Sequence, residues 1–111
     1  MELSHDQTMT ADVPAVDQDN APVIERGDVL TVQISKHFER QKLRTGDWVL
    51  VRNPEIRQGC YILRQYWPIE GGALLVPANP SVPAHRVTTK DAIDGVVLKI
   101  RKMHTQDSVR N

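Results

Sequence analysis

Few side chains in this sequence have the chemistry of a nucleophile or a general base. Ser35, which is followed by Lys36 and lies near Lys42, is a formal candidate for a serine–lysine peptidase dyad. Such a dyad needs a hydroxyl within hydrogen-bond distance of an amine that burial keeps unprotonated, because the amine must accept the hydroxyl proton. Adjacent strand residues point to opposite faces, so we expect Ser35 and Lys36 to be solvated loop residues instead. Ser81 lies in a proline-rich turn, where its hydroxyl is expected to bond its own backbone.

The histidines and the cysteine lack the spacing of a metal centre. No i, i+4 pair and no Cys-x-x-Cys motif accompanies the four histidines, which are His5, His37, His85 and His104. Cys60 has no second cysteine for a disulfide, and the one neighbour able to stabilise its thiolate is Arg57. The sequence therefore predicts polar surface histidines and a packing role for Cys60. It predicts neither a metal nor another cofactor, and no small-molecule substrate is evident.

The elements that would position these residues are short strands separated by turns. Two pairs, Gly27-Asp28 and Gly46-Asp47, each precede a run of β-branched and apolar residues. Glycine tolerates the positive φ of a tight turn, aspartate can bond its own backbone just beyond it, and the following residues favour a half-buried strand. Apolar runs between Pro and Gly turns predict strands at 28–34, 48–52, 60–66, 73–76 and 92–100. This spacing indicates an all-β fold, an open β-barrel or sandwich of short, mostly antiparallel strands.

The ends of the 111-residue chain differ in composition from its centre. Residues 1–20 contain five acidic and no basic residues and have no clear apolar face, so we expect them to be disordered. One β domain would span 21–103, and 104–111 would form a flexible tail. The basic excess of the remaining chain is too small for a nucleic-acid-binding face. No membrane span or signal peptide is visible, which predicts a cytoplasmic protein.

Five short motifs follow one another along residues 20–103. They are Pro22–Leu30, the Thr45–Val51 run, the Tyr61–Tyr66 run, Leu75-Val76-Pro77-Ala78-Asn79-Pro80, and Asp94–Arg101. In this order they resemble the C-terminal domain of the LexA and UmuD family, which includes phage repressors and self-cleaving serine–lysine peptidases. The resemblance implies the fold of that domain, with its structural turns at Gly27, Asp28, Gly46, Asp47, Pro77 and Asn79.

The resemblance also assigns the two catalytic positions, and neither carries the residue of the family. Counted back from Gly27, the serine falls at Asp19, or at Gln18 if the segment is one residue longer; counted back from Pro77, the lysine falls at Arg64. A carboxylate cannot act as the alkoxide nucleophile, and arginine stays protonated and cannot be the general base. The resemblance therefore implies an inactive domain. Because the two positions replace a hydrogen-bonded dyad, we expect Asp19 and Arg64 to lie close together.

What remains of the family's functions is association with other proteins. The Ala-Gly or Cys-Gly cleavage site is absent, and too few residues precede Asp19 for a helix-turn-helix, so direct DNA binding is not expected. The C-terminal strands of the family mediate dimerisation. Here this implies a homodimer, or a heterodimer with a LexA/UmuD-like protein, through the interface candidates Val96, Val97, Leu98, Ile100 and Trp67. A central strand of a monomer, and a tryptophan that covers the core, are the alternatives.

Three functional hypotheses follow. The first is a non-catalytic dimerisation and interaction domain that modulates a repressor, an SOS response or phage lysogeny. The second is an active self-cleaving or trans-acting serine peptidase whose dyad has moved, for which Ser35 and Lys36 are the candidates. The third is a structural remnant of a mobile-element repressor.

Overall fold

The computed structural model describes residues 8–35 and 43–103, which form one antiparallel β-sheet. Its strands are β1 (Thr8–Pro14), β2 (Val29–Ser35), β3 (Asp47–Arg52), β4 (Tyr61–Ile69), β5 (Gly72–Val76), β6 (His85–Arg86) and β7 (Ala92–Arg101). The predicted all-β class is confirmed. The sheet runs from β1 to β6 without the two pairing, so these residues do not close a barrel. Across the same ranges, no helix is long and apolar enough to cross a membrane.

The last strand of the chain lies in the middle of the sheet. The strand order is β1-β2-β7-β3-β4-β5-β6, so β7 is paired along both of its edges. Val97 of β7 pairs with Val32 of β2, and Val96 pairs with Val49 of β3. The run of apolar residues in β7 is thus explained by a central position, which was the alternative to a dimer strand.

Both faces of the sheet are covered by apolar residues. Val49 and Val51 of β3 belong to one buried cluster, whereas Leu50 between them belongs to the other, as the two-residue period of a strand requires. In β4, Ile62 and Tyr66 pack into the first cluster and Leu63 into the second. Arg64 lies two residues from both Ile62 and Tyr66, so its side chain lies on the same face of β4 as the first apolar cluster.

The two Gly-Asp pairs build the same turn twice. Gly27 and Gly46 have φ values of 94° and 90°, the left-handed region that glycine adopts without strain. Asp28 accepts a hydrogen bond from the N–H of Glu25, and Asp47 accepts one from the N–H of Arg44, each at 2.8 Å. The aspartate carboxylate therefore accepts a hydrogen bond from the N–H of the residue three positions before it, rather than from the backbone just beyond it.

The expected disorder of residues 1–20 is corrected for residues 8–20. Residues 8–14 form β1, which pairs with β2 in continuous register from Thr8↔Ser35 to Pro14↔Val29. Ala15, Asp17 and Asn20 then follow as buried residues. The β domain thus begins before residue 21, because Met9, Ala11 and Val13 alternate with polar residues at the period of a strand. The acidic composition obscured this alternation.

Two further differences concern the middle of the chain. Strand β4 continues through Trp67 and Pro68 to Ile69, where a turn was expected. Proline is tolerated there because β3 pairs with β4 only as far as Tyr66, so the missing N–H of Pro68 has no ladder partner to satisfy. The two-residue strand β6 was not predicted. The segment that contains Phe38, His37, Lys36 and Lys42 lies outside the described residues, as do residues 104–111.

Candidate functional site

The segment from Asp17 to Asn20 lies beside β4, beyond the end of β5, and hydrogen-bonds to the backbone of β4. Pairing between β4 and β5 starts at Gln65, so none of the described strands pairs with Leu63 on that side. Two buried side chains supply the hydrogen bonds that a neighbouring strand would make. Asn20 Nδ2 donates to the carbonyl of Leu63 at 2.9 Å, and the N–H of Leu63 reaches Asp17 Oδ2 at 3.4 Å. These bonds satisfy buried backbone groups and fix the segment against the sheet.

The same segment is also fastened to the turn that follows β5. The N–H of Ala78 donates to Asn20 Oδ1 at 2.9 Å, and the N–H of Asn79 donates to the carbonyl of Asp19 at 3.0 Å. Asp19 is therefore held between β4 and the Pro77–Pro80 turn. Its carboxylate remains about one-third exposed, with 34% of the side chain accessible.

Arg64 lies against this carboxylate. Its Nη2 is 3.0 Å from Asp19 Oδ2, and its Nη1 donates to the carbonyl of Leu63 at 2.8 Å. The predicted proximity of the two positions is confirmed. Only 3% of Arg64 is exposed, so its charge is desolvated and depends on Asp19 for compensation. A protonated guanidinium in an ion pair cannot remove a proton from a nucleophile.

Asp19 and Arg64 open onto a groove of about 490 Å³. Apolar side chains of Ile56, Val82, Pro83 and Ala84 form much of its wall. Asn53, His85 and Thr88 add polar groups, and the exposed Glu55 is paired with Lys90. We define these residues, with Asp19 and Arg64, as the Arg64 groove.

A second polar cluster lies beneath the groove, centred on Asp91. Asn53 Nδ2 donates to Asp91 Oδ1 at 2.8 Å, the N–H of Thr88 donates to Oδ2 at 2.9 Å, and His85 Nε2 lies 3.1 Å from Oδ1. Burial alone would raise the pKa of Asp91, but the bonds from Asn53, Thr88 and His85 together hold it below its ordinary value. The carboxylate is therefore the stable form.

This cluster has the residue types of a hydrolytic triad but not its geometry. A triad needs the hydroxyl to bond the histidine and the histidine to bond the carboxylate. Here Thr88 Oγ1 lies 3.4 Å from Asp91 Oδ2, so the hydroxyl and His85 both contact the carboxylate. Along residues 8–35 and 43–103, no three His, Cys, Asp or Glu side chains converge as metal ligands. The cluster holds the 85–91 loop in place and offers no activated nucleophile.

Of the remaining candidates that the structure describes, Cys60 and Ser81 do not line the Arg64 groove. Cys60 is half-buried and lines a separate cavity of about 340 Å³ with Arg57, Arg52 and Tyr61. Ser81 is exposed, and its N–H donates to Asn79 Oδ1 at 2.9 Å. The side chain of Ser35 and the whole of Lys36, Lys42, His5, His37 and His104 lie outside the described part of the chain.

The interface candidates separate into half-buried and exposed residues. Val96, Val97 and Ile100 are half-buried and pack against the two cores. Leu98 is 55% exposed and Trp67 is 42% exposed. Leu98 is exposed at a bulge: Val97 pairs with Val32 and Lys99 with Thr31, which leaves Leu98 between them unpaired.

The site contains buried polar residues that were not predicted. Asp17, Asn20, Asn53 and Asp91 are each at most 7% exposed. Asp and Asn side chains commonly bond backbone groups two or three residues away, and Asp17 does so with the N–H of Asp19 at 3.1 Å. Short-range Asx spacing could have indicated the turns, whereas the contacts to Leu63 and Ala78 depend on the fold.

No protein-family model matches the chain, and no curated protein matches it. The functional assignment therefore depends on the sequence motifs and on the geometry of the site.

Proposed function

We propose that this chain is a non-catalytic domain of LexA/UmuD type that acts by association with other proteins. It would form a homodimer, or pair with a LexA- or UmuD-like protein, and so modulate a repressor, an SOS response or phage lysogeny. The proposal has two parts, the loss of the dyad and the retention of an interaction surface, and different observations support each.

The contact between Asp19 and Arg64 carries the first part. These positions are 45 residues apart and were selected only by counting along two separate motifs. They meet at 3.0 Å, the distance that a hydroxyl and its base would need. This contact supports the correspondence of the two positions with the dyad. The residue types at those positions support the absence of peptidase activity.

The exposed apolar residues support the second part. Both edges of β7 are already paired, so a partner could not add a strand to it. Among the interface candidates, the exposed Leu98 and Trp67 would make the contact, since their burial would remove apolar surface from water. The contact of this proposal is thus made by exposed side chains of β4 or β7 and not by the edges of β7.

The test is the solution mass of the full chain, measured by light scattering on a sizing column. The chain is run alone and mixed with the LexA-like or UmuD-like proteins of its host. A mass of twice 12.6 kDa, or a mixed complex, is expected. Leu98→Asp should shift the protein toward the monomer, whereas Ile56→Asp, which changes an exposed apolar residue of the groove, should not.

Two results would contradict the proposal. A strict monomer that binds none of these proteins would contradict the proposed association. Equal effects of Leu98→Asp and Ile56→Asp would contradict the assignment of the interface to Leu98, because a charge at either site would then act non-specifically.

A further inference from the structure

Arg64 has a buried N–H group without a hydrogen-bond partner. Among the buried side-chain nitrogen and oxygen atoms of the described residues, Nε of Arg64 alone lacks one. A buried donor that is left unpaired costs on the order of 1–3 kcal/mol, and more when it belongs to a charged group. Native proteins leave few such groups, so this one needs a physical explanation.

The geometry of the guanidinium indicates which ligand is missing. Nε and Nη2 form one edge of the planar group, and this edge matches the two oxygens of a carboxylate. Asp19 uses half of that edge, since its Oδ2 contacts Nη2 at 3.0 Å and no oxygen of Asp19 bonds Nε. The opposite side is already used, because Nη1 donates to the carbonyl of Leu63. The half-used edge belongs to a residue that lines the Arg64 groove.

The walls of the groove add a second requirement. Ile56, Val82 and Pro83 present apolar surface beside the guanidinium. Of the charged groups nearby, Glu55 pairs with Lys90, and the Asp91 carboxylate accepts hydrogen bonds from Asn53 Nδ2 and the N–H of Thr88. The groove therefore suits an apolar molecule with one anionic group, rather than a polyanion.

We infer that the Arg64 groove is a binding site for a carboxylate ligand with an apolar body. The ligand carboxylate takes the Nε–Nη2 edge of Arg64 with both oxygens, and its apolar part lies against Ile56, Val82 and Pro83. Asp19 moves from Nη2 to solvent, which it already faces with a third of its side chain. In the unliganded protein, Asp19 is thus an internal competitor that keeps the buried charge compensated.

This inference goes beyond the association proposed above and does not depend on it. A monomer that binds carboxylates would support the binding site and contradict the proposed association. A dimer that binds no carboxylate would support the association and contradict the binding site. The two ideas are therefore tested separately.

The first measurement follows the Nε–H resonance of Arg64 by NMR during titration of the full chain with N-acetyl-leucine. The matched control is N-acetyl-leucinamide, which has the same apolar body without the charge. A saturable shift with the acid and none with the amide is expected. No shift with the acid, or equal shifts with both, would overturn the inference. An amidated peptide with one internal aspartate between leucines then decides whether a side-chain carboxylate binds as well as a terminal one.

Substitutions test the competition. Asp19→Asn removes the competing charge and keeps the shape, so the acid should bind more tightly, by about tenfold if one hydrogen bond to a charged group is released. Arg64→Lys keeps a charge but removes the fork, so binding should be lost. Arg57→Lys, in the other cavity, should leave the affinity unchanged. Weaker binding by Asp19→Asn in a folded protein would refute the displacement of Asp19.

Discussion

Lys102 Nζ lies 2.5 Å from Oδ2 of Asp28, a carboxylate that is fully buried. The ammonium also donates to the carbonyls of Pro22 and Val23, at 3.2 and 3.0 Å. The residue that follows β7 is thereby fastened to the first Gly-Asp turn and to the segment that leads from Asp19 to β2. One ion pair thus joins the end of the described chain to the element that positions the candidate site.

Removal of this ammonium should destabilise the fold. In Lys102→Met the buried Asp28 loses its counter-ion, and we expect the free energy of unfolding to fall by about 2 kcal/mol, less than for a fully buried pair because Lys102 is partly exposed. Urea denaturation measures the change. The matched control is Lys90→Met, which breaks the exposed pair with Glu55 and should cost below about 1 kcal/mol. Equal losses in the two variants would contradict the assigned role of Asp28.

Acid should destabilise the protein through Asp28 and Asp91. Burial would raise the pKa of each carboxyl, but hydrogen bonds outweigh it, from Lys102, Glu25 and Met103 to Asp28 and from Asn53, Thr88 and His85 to Asp91. With folded pKa values below the ordinary 3.8, the unfolded chain binds more protons than the folded chain. The contribution to stability is therefore complete above that pH and is lost as the pH falls through the lowered values.

The measurement is the free energy of unfolding from urea titrations between about pH 2.5 and 6. Asp91→Asn should reduce the slope of the unfolding free energy against pH below about pH 4, because one of the two carboxyls with a lowered pKa is then absent. An unchanged slope would show that Asp91 does not titrate differently in the folded state. Asp12→Asn, at an exposed aspartate that bonds the Thr31 hydroxyl, is the comparison at the protein surface.

Gly95 should not accept a side chain. It sits in β7 where a Cβ atom would lie 2.6 Å from the backbone oxygen of Gln33 and 2.8 Å from Val32 Cγ1. Because the closest atom is backbone in a paired strand, it cannot move aside, and we expect Gly95→Ala to cost about 1–3 kcal/mol or more. Thermal unfolding measures this. Gly72→Ala is the matched control, since its Cβ would meet only the flexible end of Arg86 at 3.0 Å.

The correspondence of Asp19 and Arg64 with a dyad can be tested by restoring it. In the double variant Asp19→Ser/Arg64→Lys, a buried lysine would have a lowered pKa and could accept the serine proton. We expect this variant to react covalently with a fluorophosphonate probe, detected by mass spectrometry, and the wild type and both single variants not to react. A folded double variant that stays unlabelled would mean that the two positions do not reproduce a dyad.

Only part of the candidate site could be predicted from the sequence. Counting along motifs placed Asp19 and Arg64 together, but it identified neither the Asn20 and Asp17 bonds that hold the segment at Leu63 nor the Asp91 cluster. The bonds of Asn20 and Asp17 to Leu63, and the bond of Asn53 to Asp91, join groups that are 38 or more positions apart. No local pattern specifies such a partner, because the energy of the contact exists only once both segments are packed.

The sequence alone determined the local elements. The two Gly-Asp turns, the β-branched runs after them and the proline-rich connection specify an all-β chain and most strand positions, since turn geometry and strand preference act over a few residues. Tertiary structure decided which strands are neighbours. It placed β7 between β2 and β3, added β1 to the edge of the sheet, and buried Arg64 beside Asp19. These features depend on long-range pairing and on desolvation, which the linear order of residues does not fix.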